Sequence, residues 1–216
     1  MRERYVHLLI ALLLMFVLYP LAMETGLARW FRVVMMLVLA ASAYAVSRRR
    51  RVLVIALALG LPALAAQASA IALPGRDTFI VAACLGFLFL IFVTVVILGS
   101  VLSPGKVTRD KIAGAICVYL LLGMVWAFVY TLLGHTQPGA FRIPEEVMLG
   151  MGQGSQYTFF YYSFVTLTTL GYGDITPTTP FAQTLAWLEA TIGQLYMAIL
   201  IARLVGLHIV HSSREE

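Results

Sequence analysis

Residues 166–174 read TLTTLGYGD, and this stretch decides how the rest of the chain is interpreted. It places three threonines, two glycines and an aspartate within nine residues of a 216-residue chain that is 61% hydrophobic and only 12% charged. A soluble domain of this length carries about twice that charged fraction. The apolar residues also come in long runs, which indicates that the chain lies in a membrane. A polar, glycine-rich segment in such a chain therefore needs a specific explanation.

Charged residues divide the chain into apolar runs that are each long enough for a spanning helix of roughly 20 residues. The runs cover residues 5–23, 30–47, 52–75, 78–105, 112–134 and 181–207, with Arg32 at the edge of the second and Glu189 and Arg203 interrupting the last. The first run is interpreted as an uncleaved anchor, because its core is long for a secretory signal and no clear A-x-A cleavage site follows it. We therefore predict an all-α integral membrane protein with six spanning helices.

The lysines and arginines predict how these helices are oriented. With the N-terminus inside, eleven of them fall in inner segments and four in outer segments. This excess agrees with the positive-inside rule, so we predict a plasma (cytoplasmic) membrane protein with both termini in the cytoplasm. The net charge of +5 is explained by this distribution, and nucleic acid is not a predicted partner. Arg48–Arg51 are interpreted as a topology determinant, with binding of anionic lipid as the alternative.

A long connection separates the last two runs. Residues 135–155 are polar and rich in glycine and proline, which predicts an extracellular loop. Residues 156–168 are apolar and aromatic but too short to cross the membrane, which predicts a re-entrant helix that leads directly into residues 169–173. Non-helical backbone at membrane depth is tolerated only where protein buries it or where it lines a watery path.

The residues of the opening stretch suit a cation on such a path. Gly171 and Gly173 tolerate positive φ angles, so that successive carbonyls can point the same way, and Thr169 adds a hydroxyl acceptor. A column of such oxygens, repeated around a symmetry axis, can replace the water shell of a cation. The C-terminal end of the preceding helix carries partial negative charge and also favours a cation there.

The stretch TLTTLGYGD resembles the selectivity-filter signature of tetrameric potassium channels. The resemblance covers about residues 111–207. It implies a filter formed by Thr169, Leu170, Gly171, Tyr172 and Gly173, with K⁺ bound by the carbonyls of Thr169 to Tyr172 and by the Thr169 hydroxyl. It also implies a homotetramer that conducts K⁺ passively, with no cofactor except the K⁺ ions in the filter.

The same resemblance organises the chain into two domains. Residues 106–216 become a pore domain, with an outer helix at 111–134, a pore helix at 156–168 and an inner helix at 181–207. Residues 1–105 become a four-helix domain that resembles a voltage sensor. Its fourth run has no lysine or arginine between Asp77 and Lys106, so it is predicted not to sense voltage.

Several residues around the filter acquire roles from the resemblance. Asp174 is expected at the outer mouth, and Tyr161 and Tyr162 are expected to brace the filter from behind. Leu170 replaces the usual valine or isoleucine, and Val165 stands where some members carry a glutamate that pairs with the filter aspartate. Asp174 therefore needs another partner, for which the Tyr162 hydroxyl is the candidate.

The predicted inner helix carries the remaining candidate residues. Glu189 is expected beside the lower half of the filter, hydrogen-bonded either to the pore helix or to a local hydroxyl such as that of Thr191 or Thr168. Gly193 lies 20 residues after Gly173, where the family often has a hinge glycine. If the family's register holds, the residues that face the axis are Gln194, Met197, Ile201 and Val205, with Ile201 and Val205 narrowing the inner mouth.

Three other functions remain open from the sequence. A non-selective cation channel of the same fold is the first, since Leu170 changes the side chain behind the filter. A non-conducting regulatory subunit of a transport complex is the second. A membrane enzyme is the third, but the sequence offers no nucleophile–base pair, and the four histidines form no cluster with metal-ligand spacing. We predict that the chain is not an enzyme and holds no metal other than K⁺.

Overall fold

The structure is a computed structural model that describes residues 4–24, 50–73, 75–104, 108–145 and 156–212, with side chains left undescribed at 23, 24, 156 and 204–212. Six helices and two short strands occur in these ranges. They are α1 (Arg4–Glu24), α2 (Arg50–Ala72), α3 (Arg76–Val101), α4 (Arg109–Thr136), β1 (Phe141–Arg142), α5 (Gln156–Leu167), β2 (Thr176–Pro177) and α6 (Pro180–Ser212).

Five of the described helices are long and apolar enough to cross a membrane. They are α1, α2, α3, α4 and the part of α6 from Pro180 to Arg203. The run at 30–47 lies outside the described residues, so the count of six spans stays a prediction. The apolar run at 78–105 extends beyond the end of α3, which lies at Val101. The backbone then forms a turn, in which the Ser103 amide donates to the Ser100 carbonyl at 3.3 Å.

The chain forms two compact units, residues 1–121 and 122–216, whose division falls within α4. In the first unit α2 packs closely on α3. The closeness is visible at Gly60, where a Cβ would lie 3.1 Å from the ring of the buried Phe89. The start of α1 is capped by Asp110, whose Oδ1 accepts hydrogen bonds from the amides of Tyr5 and Val6. The predicted boundary between residues 105 and 106 lies outside the described residues and stays a prediction.

The second unit contains a small sheet that the all-α prediction missed. Strand β1 pairs antiparallel with β2, with Phe141 opposite Pro177 and Arg142 opposite Thr176. The Thr178 amide adds a bond of 2.9 Å to the Ala140 carbonyl. These bonds tie the loop after α4 to the segment that follows residues 169–173.

An aromatic core fills the second unit beside this sheet. Tyr130 and Tyr162 meet edge to face with ring centroids 4.9 Å apart, and Phe141 contacts Phe159 in the same way at 5.1 Å. Each such pair adds about 0.5–1.5 kcal/mol beyond the apolar area that it buries. The core therefore holds α4, α5 and the sheet together and fixes the position of α5.

Candidate functional site

The C-terminal end of α5 determines the direction of the backbone at residues 169–173, the predicted filter, which is called the filter below. The Val165 carbonyl accepts hydrogen bonds from two amides, Leu170 at 2.9 Å and Gly171 at 3.2 Å. In a trans peptide the N–H and the preceding C=O point in opposite directions. The carbonyls of Thr169 and Leu170 therefore point away from α5.

The filter backbone also alternates in handedness. Thr169, Gly171 and Gly173 have φ angles of 58°, 59° and 77°, while no positive φ occurs at Leu170 or Tyr172. Glycine adopts such angles without a steric penalty. A β-branched threonine does not, and the left-handed conformation costs it roughly 1–2 kcal/mol. Strain of this kind is concentrated at functional sites, where the surrounding structure enforces it.

The filter side chains make few contacts within the single chain. Leu170 is 55% exposed and Tyr172 is 65% exposed. A cavity of about 270 Å³ adjoins the filter backbone, and its walls are formed by Tyr162, Val165, Thr166, Thr169, Gly171, Gly173, Ile175, Pro177, Ala186 and Ala190. Backbone hydrogen bonds to α5, rather than side-chain packing within the chain, therefore set the filter conformation.

Asp174 follows the filter and is held at both carboxylate oxygens. Its Oδ2 accepts a hydrogen bond of 2.6 Å from the Tyr161 hydroxyl, and its Oδ1 accepts one of 2.9 Å from the Ile175 amide. The Tyr161 hydroxyl is the donor of this bond, because a carboxylate oxygen can only accept.

The prediction that the Tyr162 hydroxyl is the partner of Asp174 was wrong. Consecutive residues of a helix point about 100° apart, so Tyr161 and Tyr162 cannot both face Asp174. Tyr162 is buried instead and packs its ring against Tyr130. Tyr161 therefore contacts the residue that follows 169–173, whereas Tyr162 belongs to the aromatic core.

Glu189 is completely buried and joins three helices. Its Oε2 accepts a hydrogen bond of 2.6 Å from the Tyr130 hydroxyl of α4, and its Oε1 lies 2.5 Å from the Ser163 hydroxyl of α5. The two local alternatives, Thr168 and Thr191, donate instead to the carbonyls of Phe164 and Trp187.

Sequence reasoning named neither Tyr130 nor Ser163. Both are hydroxyl-bearing residues within apolar segments, and both are completely buried. A carboxyl group within a spanning helix needs hydrogen-bond donors there. That requirement was the available signal, although it could not select these two hydroxyls from the others in the chain.

Gly193 lies where α6 passes closest to the end of α5. A Cβ at this position would come within 2.5 Å of the Leu167 carbonyl oxygen. One turn earlier on the same helix, Glu189 contacts Ser163 of α5. Glycine at 193 thus permits a close approach of the two helices, and its role as a hinge stays a prediction.

Four residues were predicted to face the axis, and the side chains of three of them are described. Among these three, Gln194 contacts the filter. Its Nε2 lies 3.4 Å from the Thr169 hydroxyl. Met197 and Ile201 are exposed, as are several of their neighbours, so exposure does not single out a pore-lining face. The side chain of Val205 lies outside the described residues, as do Arg48 and Arg49 of the arginine run.

Comparison with known proteins assigns this part of the chain to a class. Residues 114–207, which include α5, the filter and most of α6, match a protein family described as ion channel. Residues 114–207, less than half of the chain, are therefore similar to an ion-channel domain, and with its apolar helices the chain is a membrane protein. To that extent the resemblance inferred for residues 111–207 is confirmed.

A curated relative carries a more specific name. Over 104 residues the chain is 28% identical to two-pore potassium channel 4 of Arabidopsis thaliana. The match covers 48% of this chain and 36% of that protein, so the chain spans little more than a third of the relative's length. No solved structure matches the chain significantly.

Proposed function

We propose that four copies of this chain form a potassium-selective channel that conducts K⁺ passively across the plasma membrane, with both termini in the cytoplasm. The observation that carries this proposal is the direction of the filter backbone. Two consecutive amides bond to the Val165 carbonyl, so the carbonyls of Thr169 and Leu170 point away from α5. The name of the plant relative supports K⁺ as the ion.

The chemistry of the filter suits a dehydrated K⁺ ion. The carbonyls of residues 169–172 and the Thr169 hydroxyl supply the oxygens that replace bound water. Helix α5 ends at Leu167, two residues before Thr169, and its partial negative end favours the cation. One chain contributes one strand of the filter, so a closed ring requires several copies around an axis. No cofactor is needed beyond the ions, and anionic lipid is the further partner proposed for Arg48–Arg51.

The decisive measurement is the reversal potential of purified protein in a planar bilayer, with K⁺ on one side and Na⁺ on the other. We expect reversal far toward the K⁺ equilibrium potential. Reversal near zero with substantial current would establish the non-selective alternative instead. Absence of current from tetrameric protein that binds stably to the bilayer would favour a regulatory subunit.

A pair of glycine variants tests whether the filter backbone carries the selectivity. Gly171 and Gly139 both have positive φ, at 59° and 87°, and a Cβ would meet no atom within 4 Å at either position. Alanine should thus cost about 1–2 kcal/mol of conformational strain at both sites. Gly171→Ala should abolish selective K⁺ current, whereas Gly139→Ala, in the loop before β1, should conduct as the parent does. Equal effects of the two variants would contradict the assignment of the filter.

A further inference from the structure

The buried site around Glu189 contains more hydrogen-bond contacts than its hydroxyl groups can supply with protons. The Ser163 Oγ lies 2.5 Å from the Glu189 Oε1 and also 2.7 Å from the Gly123 carbonyl oxygen. The Tyr130 hydroxyl lies 2.6 Å from the Glu189 Oε2. All three contacts fall within the range of O–H···O hydrogen bonds, each of which needs one proton.

The three contacts need three protons, and the two hydroxyl groups supply only two. The hydroxyls of Tyr130 and Ser163 carry one proton each, and a backbone carbonyl carries none. The Tyr130 proton serves its contact with Glu189 Oε2. The single Ser163 proton serves either Gly123 or Glu189, but not both. Since the Gly123 oxygen can only accept, the remaining contact requires a proton on the Glu189 Oε1.

We propose that Glu189 is a neutral carboxylic acid that positions the pore helix α5. Its Oε1–H donates to Ser163, Ser163 donates to the Gly123 carbonyl of α4, and Tyr130 of α4 donates to the Glu189 Oε2. This arrangement satisfies every proton and every acceptor in the group. It holds α5 between α4 and α6 at Ser163, which lies four residues before Leu167, the last residue of α5.

Burial supports the neutral form. Glu189, Ser163 and Tyr130 all have 0% exposure in the single chain. Transferring an isolated ionised carboxylate out of water is far more costly than transferring a neutral hydrogen-bonded acid. Within the part of the chain that the structure describes, the titratable side chains facing Glu189 are Tyr130 of α4 and Tyr162 of α5, and no cation pairs with it.

This hydrogen-bonded group acts on the filter through the backbone of α5. Ser163 lies two residues before Val165. The Val165 carbonyl accepts the hydrogen bonds of the Leu170 and Gly171 amides. A rotation of α5 about its axis would move that carbonyl and the filter amides together. Glu189 is therefore a positioning residue for the filter. This functional part rests on the proposed K⁺ conduction, whereas the proton on Glu189 does not.

The proton is tested by infrared difference spectroscopy of the full-length protein in lipid at neutral pH. A protonated acid has a C=O stretching band that is separate from the bands of an ionised carboxylate. We expect Glu189→Gln to remove a protonated-acid band from the spectrum. The control Glu145→Gln, which exchanges an exposed carboxyl group, should leave that band unchanged. Loss of ionised-carboxylate bands alone in Glu189→Gln would overturn the proposal.

The positioning role is tested by the ratio of K⁺ to Na⁺ permeability. The amide in Glu189→Gln donates to Ser163 and accepts from Tyr130, so we expect a ratio within about twofold of the parent. Glu189→Ala leaves both hydroxyls without their partner and should lower the ratio by roughly tenfold. Failure of Glu189→Gln to fold, or a loss equal to that of Glu189→Ala, would contradict a neutral acid. If the parent itself does not select K⁺, the proposed function fails while the infrared band still reports the proton.

Discussion

Asp174 and Tyr161 form a contact directly after residues 169–173, the proposed filter. The bond between them is 2.6 Å long and joins α5 to the residue after Gly173, so it closes the chain around residues 169–173. A hydrogen bond to a charged acceptor contributes about 1.5–3 kcal/mol where it is shielded from water, and less at a partly exposed site such as this one.

Removal of the Tyr161 hydroxyl should therefore destabilise the conducting filter. We expect Tyr161→Phe to shorten the lifetime of K⁺ current under steady recording by roughly threefold to tenfold, which corresponds to about 1 kcal/mol. The matched control is Tyr162→Phe on the same helix, which leaves the Asp174 bond intact and should retain the parental lifetime. A larger effect in Tyr162→Phe would restore the assignment that the sequence first suggested.

At the residue scale, the sequence predicts which side chains matter better than it predicts their partners. Glu189 and Asp174 were both identified as polar groups in need of partners. The partners found lie 26 and 59 residues from Glu189, and 13 residues from Asp174. Such pairings depend on how helices rotate and pack. A difference of one residue on α5, between Tyr161 and Tyr162, changes the direction of the side chain by about 100°.

At the scale of elements, α5 fits against its neighbours through glycines. A Cβ at Gly123 of α4 would lie 2.7 Å from the Phe164 ring, and a Cβ at Gly193 of α6 would lie 2.5 Å from the Leu167 carbonyl oxygen. The second contact is with backbone, which cannot rotate away as a side chain can. The distance between α5 and α6 at the base of the filter is therefore set by the absence of a side chain at 193.

An alanine at this position should force α6 away from α5. Overpacking of this kind costs about 1–3 kcal/mol. We expect Gly193→Ala to lower the thermal unfolding midpoint and to reduce the ratio of K⁺ to Na⁺ permeability. Gly99→Ala is the control, since a Cβ at that α3 glycine would meet nothing within 4 Å and alanine favours a helix by up to about 1 kcal/mol. A Gly193→Ala variant as stable and as selective as Gly99→Ala would show that the contact is not limiting.

The sequence predicted the elements of this part of the chain closely where apolar length and composition define them. A re-entrant pore helix was expected at 156–168, and the helix α5 occupies Gln156–Leu167, while its role as a pore helix stays a prediction. The two strands were missed because each is two residues long, too short for a period-two pattern of apolar residues to appear. Their pairing instead comes from the folding of the loop onto the segment after the filter.

At the scale of the whole molecule, the first property to measure is the number of chains in the assembly. The side chains of Leu170 and Tyr172, in the proposed filter, are more than half exposed in the single chain. We expect purified protein in lipid nanodiscs to have the mass of four chains. Retention of the four-chain mass in Gly171→Ala would separate assembly from conduction. A monomer that nevertheless conducts K⁺ selectively would contradict the requirement for a ring of filter strands.

The charges of the first four predicted spans determine how the molecule responds to voltage. The sequence has no lysine or arginine in the predicted runs at 5–23, 52–75 and 78–105, and the run at 30–47 has one, Arg32, near its edge. Moving one elementary charge through the whole field contributes about 2.3 kcal/mol per 100 mV, which is a change of roughly fiftyfold in an equilibrium. Helices without such charges contribute little to this term.

We therefore expect the open probability to change by less than about threefold per 100 mV, recorded in symmetrical K⁺ so that the driving force does not mimic gating. Arg203 is an arginine inside the described span Pro180–Arg203 of α6, and Arg203→Gln measures its contribution. A weak dependence that disappears in Arg203→Gln would assign the residual charge to α6. A steep dependence that persists in Arg203→Gln would place gating charge among the first four spans and contradict the prediction.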